Sequence, residues 1–318
     1  MSLDNKNIRI TAILPNYNDG QCLETAMDSL LNQTTAFDEI IIVDDGSTDS
    51  SLTLIQAYEK RYKHLHYVKH ETNQGVCAAL NTGLKAATGD FIMLCAADDF
   101  YDEHCVDIAK RVMYQHPHVG LICGDAIVTR FDLKTSFLRS LPYPSQHYIK
   151  PQQFQDFTKT SYVGFNSAGS MFINKEAIVL AGFLKPELKW HCDWLLYFVI
   201  ALRQGIYYTG QVFTHISIRK DGYSSGLHHK KFQNNVMMET IKAARWTYPD
   251  LWPAFKEAAL LPHYAGRYVW LFLFSAQTRS FLSCKLVWKI VINNKIITKI
   301  GRLFPYRIIL NVRQWLHA

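Results

Sequence analysis

No Gly-x-Gly-x-x-Gly follows the first apolar run of this chain, and no Gly-x-x-x-x-Gly-Lys-Ser/Thr occurs in it. A dinucleotide fingerprint and a P-loop are therefore both excluded. The seven cysteines, at positions 22, 77, 95, 105, 123, 192 and 284, include no Cys-x-x-Cys pair. Their odd number and scatter argue against a disulfide framework and suit a reducing cytosol, with Cys95 and Cys123 as core residues inside apolar runs. Acidic residues are missing from 258–318, where nine Lys and Arg stand. The rest of the chain holds 25 basic against 27 acidic groups, so the formal net charge of +7 belongs to that final stretch. A basic surface for nucleic acid over the whole chain is excluded, and a local basic element is not. The polar first seven residues run straight into a strand and carry no secretory pattern. The aromatic run 268–274 is far too short to span a bilayer. A cytoplasmic protein is the expectation.

With 318 residues, of which 48% are hydrophobic, the chain can bury a large core. The stretch 91–96 is a nearly continuous apolar run, preceded by Gly89-Asp90 and followed by Asp98-Asp99. Such a run reads as a strand buried on both faces, as in a parallel sheet. Its two carboxylates then stand at the carboxyl end of a central strand, where open α/β sheets bind ligands. Paired oxygen ligands suit Mg²⁺ or Mn²⁺, whose remaining sites are filled by substrate phosphates. The bland reading makes them caps of a helix beginning near Asp102.

Three further strand–helix pairs precede this run. A strand over 8–14 stops at Pro15-Asn16-Tyr17-Asn18-Asp19-Gly20, and Leu23, Ala26, Met27, Leu30 and Leu31 then repeat at helical spacing. A strand over 39–43 ends in Asp44-Asp45-Gly46-Ser47-Thr48-Asp49, whose last three residues are good caps for a helix to about Arg61. A strand over 66–69 is followed by Asn73-Gln74-Gly75 and a helix over 76–87. The alternation argues a doubly wound sheet, with every polar cluster on one rim. Tyr17 can lie against a base, Asp44 or Asp45 can accept a base N–H, and Gly75 permits close backbone approach.

Residues 8–100 resemble the family 2 glycosyltransferases of the GT-A fold. The matching strings are Leu14-Pro15-Asn16-Tyr17-Asn18, Ile41 to Asp49, Asn73-Gln74-Gly75 with Ala79 to Leu84, and Ala87 to Ile92 running into Asp98-Asp99. The resemblance implies inverting transfer of a sugar from a nucleotide-diphosphate sugar, UDP favoured, to an acceptor hydroxyl. It also implies a divalent metal on the carboxylate motif, with Asp98 as the metal contact and Asp99 following it. Pro15, Tyr17, Asp44, Asp45, Asn73 and Gly75 are expected to line the nucleotide pocket. One departure stands out: Ala96 occupies the place of the motif's first acid.

The resemblance continues through Asn166 to Ile173, a small-residue turn and strand. Trp190-His191-Cys192-Asp193-Trp194 then matches the Glu-Asp-Trp type motif, with Cys192 in place of Glu. By that match Asp193 is the general base; the alternative is a helix cap. His191 and His215 as metal ligands are weaker readings than structural histidines. Ile216 to Ser225 resembles the loop that closes over the donor, in which Arg219 or Lys220 would neutralise the diphosphate; a solvated basic turn stands beside that. The stretch 286–315 interleaves apolar and basic residues, which suits either an anionic membrane surface or helices packed with basic outer faces.

The expected architecture is an α/β GT-A fold, its mostly parallel sheet flanked by helices, with a C-terminal helical extension. The catalytic domain is expected over 1–227, with a nucleotide-binding half over 1–100 and an acceptor-binding half over 101–227. Residues 228–318 form the helical basic region. The expected setting is bacterial cell-surface polysaccharide or lipopolysaccharide assembly, with a saccharide or lipid-linked acceptor, on the cytoplasmic face of the inner membrane. The rivals are a non-catalytic nucleotide-sugar-binding or scaffold protein on the same fold, and a nucleotidylyltransferase, whose Gly-rich loop after the first strand is absent.

Overall fold

Alternation of apolar residues along the first strand decides how the layers form. In the computed structural model, which describes residues 7–130, 134–160, 164–218 and 230–258, β1 runs over Ile10–Asn16. Ile10, Ala12 and Leu14 point into one core with Leu23, Ala26, Met27 and Leu30 of α1 (Leu23–Leu31), while Ile13 faces the other way. The elements then alternate as β2 (Glu39–Asp44), α2 (Ser51–Arg61), β3 (Leu65–Lys69), α3 (Val76–Ala86) and β4 (Phe91–Leu94). All four residues of β4 are buried, and Cys95 and Cys123 are core residues as expected.

The second half is less regular. It comprises β5 (Phe100–Tyr101), α4 (Cys105–Gln115), β6 (Leu121–Arg130), β7 (Thr135–Arg139), β8 (His147–Ile149), α5 (Pro151–Thr160), β9 (Met171–Asn174), α6 (Lys175–Ala181), α7 (Cys192–Gln204) and β10 (Ile206–Ile218). After these come α8 (Lys230–Trp246) and α9 (Trp252–Ala258). One sheet takes the order β3-β2-β1-β4-β9-β6-β10-β5, with β7 on β6 and β8 on β10. The first four strands are parallel, as the alternation predicts, and β9 then enters antiparallel between β4 and β6. Strand order reverses at β1, so a crevice opens beyond the carboxyl ends of β1 and β4.

Several boundaries differ from the sequence reading. β4 ends at Leu94 and not at Ala96, because the Ala96 backbone turns away to bond the Tyr101 hydroxyl. The helix expected near Asp102 begins at Cys105. Neither Ser47 nor Thr48 caps α2: its N-cap is Ser50, and the nearby carboxylate of Asp49 accepts from Ser51 N and Gly20 N. The chain divides into two compact units, 1–155 with 163–240, and 156–162 with 241–318. In the second, the Arg245 guanidinium lies 4.6 Å from the centroid of the Trp246 ring. Among the described residues no helix is long and apolar enough to cross a membrane. The basic stretch 286–315 lies outside the described residues.

Gly83 shows how closely α3 sits on the sheet, since a Cβ there would run into Ile13 Cγ2 with Val43 also close. Overpacking at such a contact costs about 1–3 kcal/mol. Gly83→Val is expected to lower the unfolding free energy by that amount, read as a lower urea midpoint at unchanged slope; an unchanged midpoint would mean that α3 rides higher on the sheet.

Candidate active site

Asn16 and Asp44 end neighbouring strands in register, and their pairing builds the rim. Asn16 Nδ2 donates to Asp44 Oδ1 at 3.0 Å and to Ser47 Oγ at 3.0 Å, and Asp44 Oδ2 accepts from Ser47 N at 3.2 Å. Asp44 is fully buried by these bonds and lies behind the cleft, not in its wall. Asn18, at φ 56°, accepts from Thr48 N at 2.7 Å and so pins the first loop to the second. Tyr17 is left 44% exposed at the mouth.

Asp45 organises the opposite wall. Its Oδ1 meets His70 Nδ1 at 2.7 Å and accepts from Gln74 N at 2.9 Å, while Oδ2 accepts from Gly75 N at 2.7 Å. His70 Nε2 reaches Thr82 Oγ1 at 3.0 Å, which ties the loop to α3. Gly75 sits at φ 91°, ψ 155°, a conformation costly for any residue with a Cβ. Nothing would lie within 4 Å of a Cβ at Gly75, so the space beside it is open. Gly75 and Val76 bring the N-terminus of the eleven-residue α3 to the cleft, where unpaired N–H groups favour an anion.

The third wall is the turn after β4. Tyr101, buried on β5, accepts from Ala96 N at 2.8 Å and donates to Ala96 O at 3.2 Å, gripping that peptide from both sides. Asp98 lines the resulting cleft, which encloses about 440 Å³ with Pro15, Tyr17, Asp45, Asn73 and Gly75 also in its wall. Asp99 is turned away: it is 6% exposed, and its Oδ1 accepts from Ser217 N of β10 at 3.0 Å. His215 stacks on Phe100 at 4.3 Å and is not part of the cleft wall.

A divalent cation needs oxygen ligands. Among the described residues no group of three His, Cys, Asp or Glu is gathered to hold one. Asp98, which shares the cleft wall with the carboxylates of Asp19 and Asp45 and with a helix N-terminus, fits an ion that takes its other oxygens from a diphosphate and water. Asp99 does not join it in the wall, because its carboxylate is committed to β10.

Asp193 stands in the first turn of α7, after the N-cap His191, with Oδ1 accepting from Trp194 N at 2.7 Å. It is therefore inside the helix start, and the cap position expected as its alternative belongs to His191. Burial pushes its carboxyl up to about 6, the backbone bond from Trp194 offsetting part of that rise. Burial also pushes His191 down to about 4, which keeps its ring neutral near pH 7. Asp193 does not line the cleft itself. Its neighbour Cys192 contacts Cys77 of α3, their sulfurs 2.9 Å apart. Cys77 follows Val76, a wall residue.

These groups form a cleft of about 440 Å³ at the reversal of strand order, and the Asp193 carboxyl, raised to about 6, stands at the start of α7. The glycosyl transferase family 2 profile matches residues 11–179. The chain belongs to that family. A curated glycosyltransferase of Haemophilus influenzae is 28% identical over 242 residues, covering 75% of this chain and 86% of its own. Several other curated relatives are matched over 36% of their length or less. Among solved structures, Staphylococcus aureus TarS 1–349 in complex with UDP-GlcNAc superposes with a TM-score of 0.62 at 18% identity, covering 89% of this chain and 79% of that one. The mannosyltransferase PcManGT of Pyrobaculum calidifontis, in complex with GDP-Man and Mn²⁺, gives 0.54 at 17% identity, covering 97% and 80%. The fold is thus GT-A, as the motif strings imply.

Six of the expected site residues of this family 2 protein, Pro15, Tyr17, Asp45, Asn73, Gly75 and Asp98, meet in one cleft. Asp44 and Asp99 are structural neighbours of it, and Arg219 and Lys220 lie outside the described residues. Asn16 and Tyr101, which shape the cleft, were missed. Asn16 carried a signal, since it stands inside a matching string; Tyr101 carried none, because its role depends on β5 pairing with the distant β10 while its hydroxyl reaches Ala96.

The raised carboxyl of Asp193 gives two expectations. Its side-chain carbon should titrate near pH 6 by NMR in the folded protein, well above the ordinary aspartate range. Because the folded value exceeds the unfolded one, the stabilisation is full at low pH and is lost as pH rises through about 6. Asp193→Asn should therefore melt no lower than wild type at pH 8; a clearly lower melting temperature would contradict the desolvated carboxylate.

Proposed function

We propose that this protein is an inverting glycosyltransferase that takes a sugar from a nucleotide-diphosphate sugar, UDP-sugar favoured, and passes it to an acceptor hydroxyl in bacterial cell-surface polysaccharide or lipopolysaccharide assembly. The observation that carries the reading is the convergence of Tyr17, Asp45, Asn73, Gly75 and Asp98 on one cleft at the strand-order reversal. Tyr17 stacks on the base, and the Asp45-braced loop receives the nucleoside. The diphosphate lies against the N-terminus of α3, whose amides face accumulating negative charge. TarS with UDP-GlcNAc and PcManGT with GDP-Man and Mn²⁺ support a nucleotide-sugar donor and a divalent ion. Mg²⁺ or Mn²⁺ held by Asp98 would neutralise the departing diphosphate.

Asp193 serves as general base. Its carboxyl near 6 is largely ionised at neutral pH yet basic enough to take the acceptor hydroxyl's proton during in-line attack at the anomeric carbon. Arg219 and Lys220 would add positive charge at the leaving group. The catalytic domain is proposed as 1–227, and the basic C-terminal region as a contact to an anionic membrane bearing a lipid-linked acceptor.

Calorimetry of UDP and GDP, with and without Mn²⁺, tests the donor site. Metal-dependent binding to wild type and its loss in Asp98→Asn is the expected outcome; absence of any nucleotide binding would leave the scaffold reading. Where turnover is measured, Asp193→Asn should cost about 10²–10⁴ in kcat with donor affinity kept. The wild-type rate should rise with pH through about 6.

A further inference from the structure

We propose that Cys77 and Cys192 form a reversible thiol-oxidation site whose disulfide displaces Asp193 relative to the donor cleft. The effect on transfer rests on the donor-site reading above; the oxidation of the pair does not. The two residues are 115 apart in sequence, both free thiols, and their sulfurs lie 2.9 Å apart. Each is one residue from the chemistry: Cys77 follows Val76 of the cleft wall, and Cys192 precedes Asp193. The pair is therefore the mechanical link between the starts of α3 and α7.

The two thiols differ in a way that suits this chemistry. Cys192 donating to its sulfur, helped by the charge of Lys189, holds the Cys77 thiol below the ordinary range, with burial, Asp193 and Glu187 opposing. The same contact and burial push Cys192 upward. Cys77 is thus the attacking sulfur and Cys192 the resolving one. Burial pushes Cys95 up to about 12, and also raises Cys105 and Cys123, which makes those thiols poor nucleophiles. The chain beside the pair is strained as well, since Lys189 adopts φ 50° just before α7 and its carbonyl lies 3.7 Å from Cys77 Sγ.

With hydrogen peroxide as oxidant, the Cys77 thiolate attacks one oxygen, the O–O bond breaks, and hydroxide leaves as water after taking a proton. The Cys192 sulfur then attacks the sulfenic sulfur of Cys77, an S–S bond forms, and the S–O bond breaks to release a second water. Two thiols lose two electrons and two protons, and one peroxide becomes two waters. A small dithiol reverses the step by exchange. Closure from 2.9 Å to a bond of about 2.05 Å draws the two helix starts together. Shifts of about 1 Å at a catalytic group cost on the order of 10²-fold in rate.

The test treats the full chain with hydrogen peroxide, digests it without reduction, and follows donor turnover before and after dithiothreitol, each variant against its own untreated rate. A Cys77–Cys192 linked peptide, with at least a tenfold fall in turnover that dithiothreitol restores, is expected for wild type. Cys77→Ser and Cys192→Ser should form no such peptide and show no dithiothreitol-reversible loss. Absence of the linked peptide in wild type, or its formation with turnover unchanged, overturns the proposal. If the reduced protein turns over no nucleotide sugar, the donor-site reading fails, while the linked peptide still decides whether the pair is an oxidation site.

Discussion

A single buried carboxylate holds the cleft in shape. Asp45 is 2% exposed, and its oxygens meet the His70 imidazole and the amides of Gln74 and Gly75. An unpaired carboxylate at that depth would be costly, so the loop between β3 and α3 is folded around it. That fold places Gly75 at its positive φ and turns the first amides of α3 toward the space beyond β1 and β4. Without the Asp45 bonds, three walls of the cleft would have only two fixed edges.

A second constraint works in the opposite sense. Asp193 is kept in surroundings that disfavour its charge, and the surrounding structure holds it there. Trp194 supplies its backbone N–H, and the sulfur contact of Cys77 and Cys192 ties the start of α7 to α3. Groups placed against their own solvation preference mark sites where chemistry is favoured over stability. The two cysteines stand on that tie, which is why their oxidation state bears on the position of the carboxyl.

Much of the first hundred residues was legible in the sequence, since each polar cluster follows a short apolar strand and parallel strands place such clusters on one rim. Pro15, Tyr17, Asn73 and Asp98 were recoverable on that ground. Asp44 and Asp45 could not be told apart, because adjacent residues of a strand end point to opposite faces and only the fold decides which one faces the cleft. Asp99 looked equivalent to Asp98 until β10 came across to bond it. The antiparallel entry of β9 and the support of Ala96 by Tyr101 depend on long-range pairing, which no local pattern encodes.

The most direct test of the central claim is backbone amide hydrogen exchange on the full chain with and without UDP and Mn²⁺. Slowed exchange over 15–19, 73–79 and 95–98 together is the predicted result, because these segments line one cleft. Unchanged exchange in all three, or slowing confined to segments away from them, would contradict a nucleotide-sugar site at the reversal of strand order.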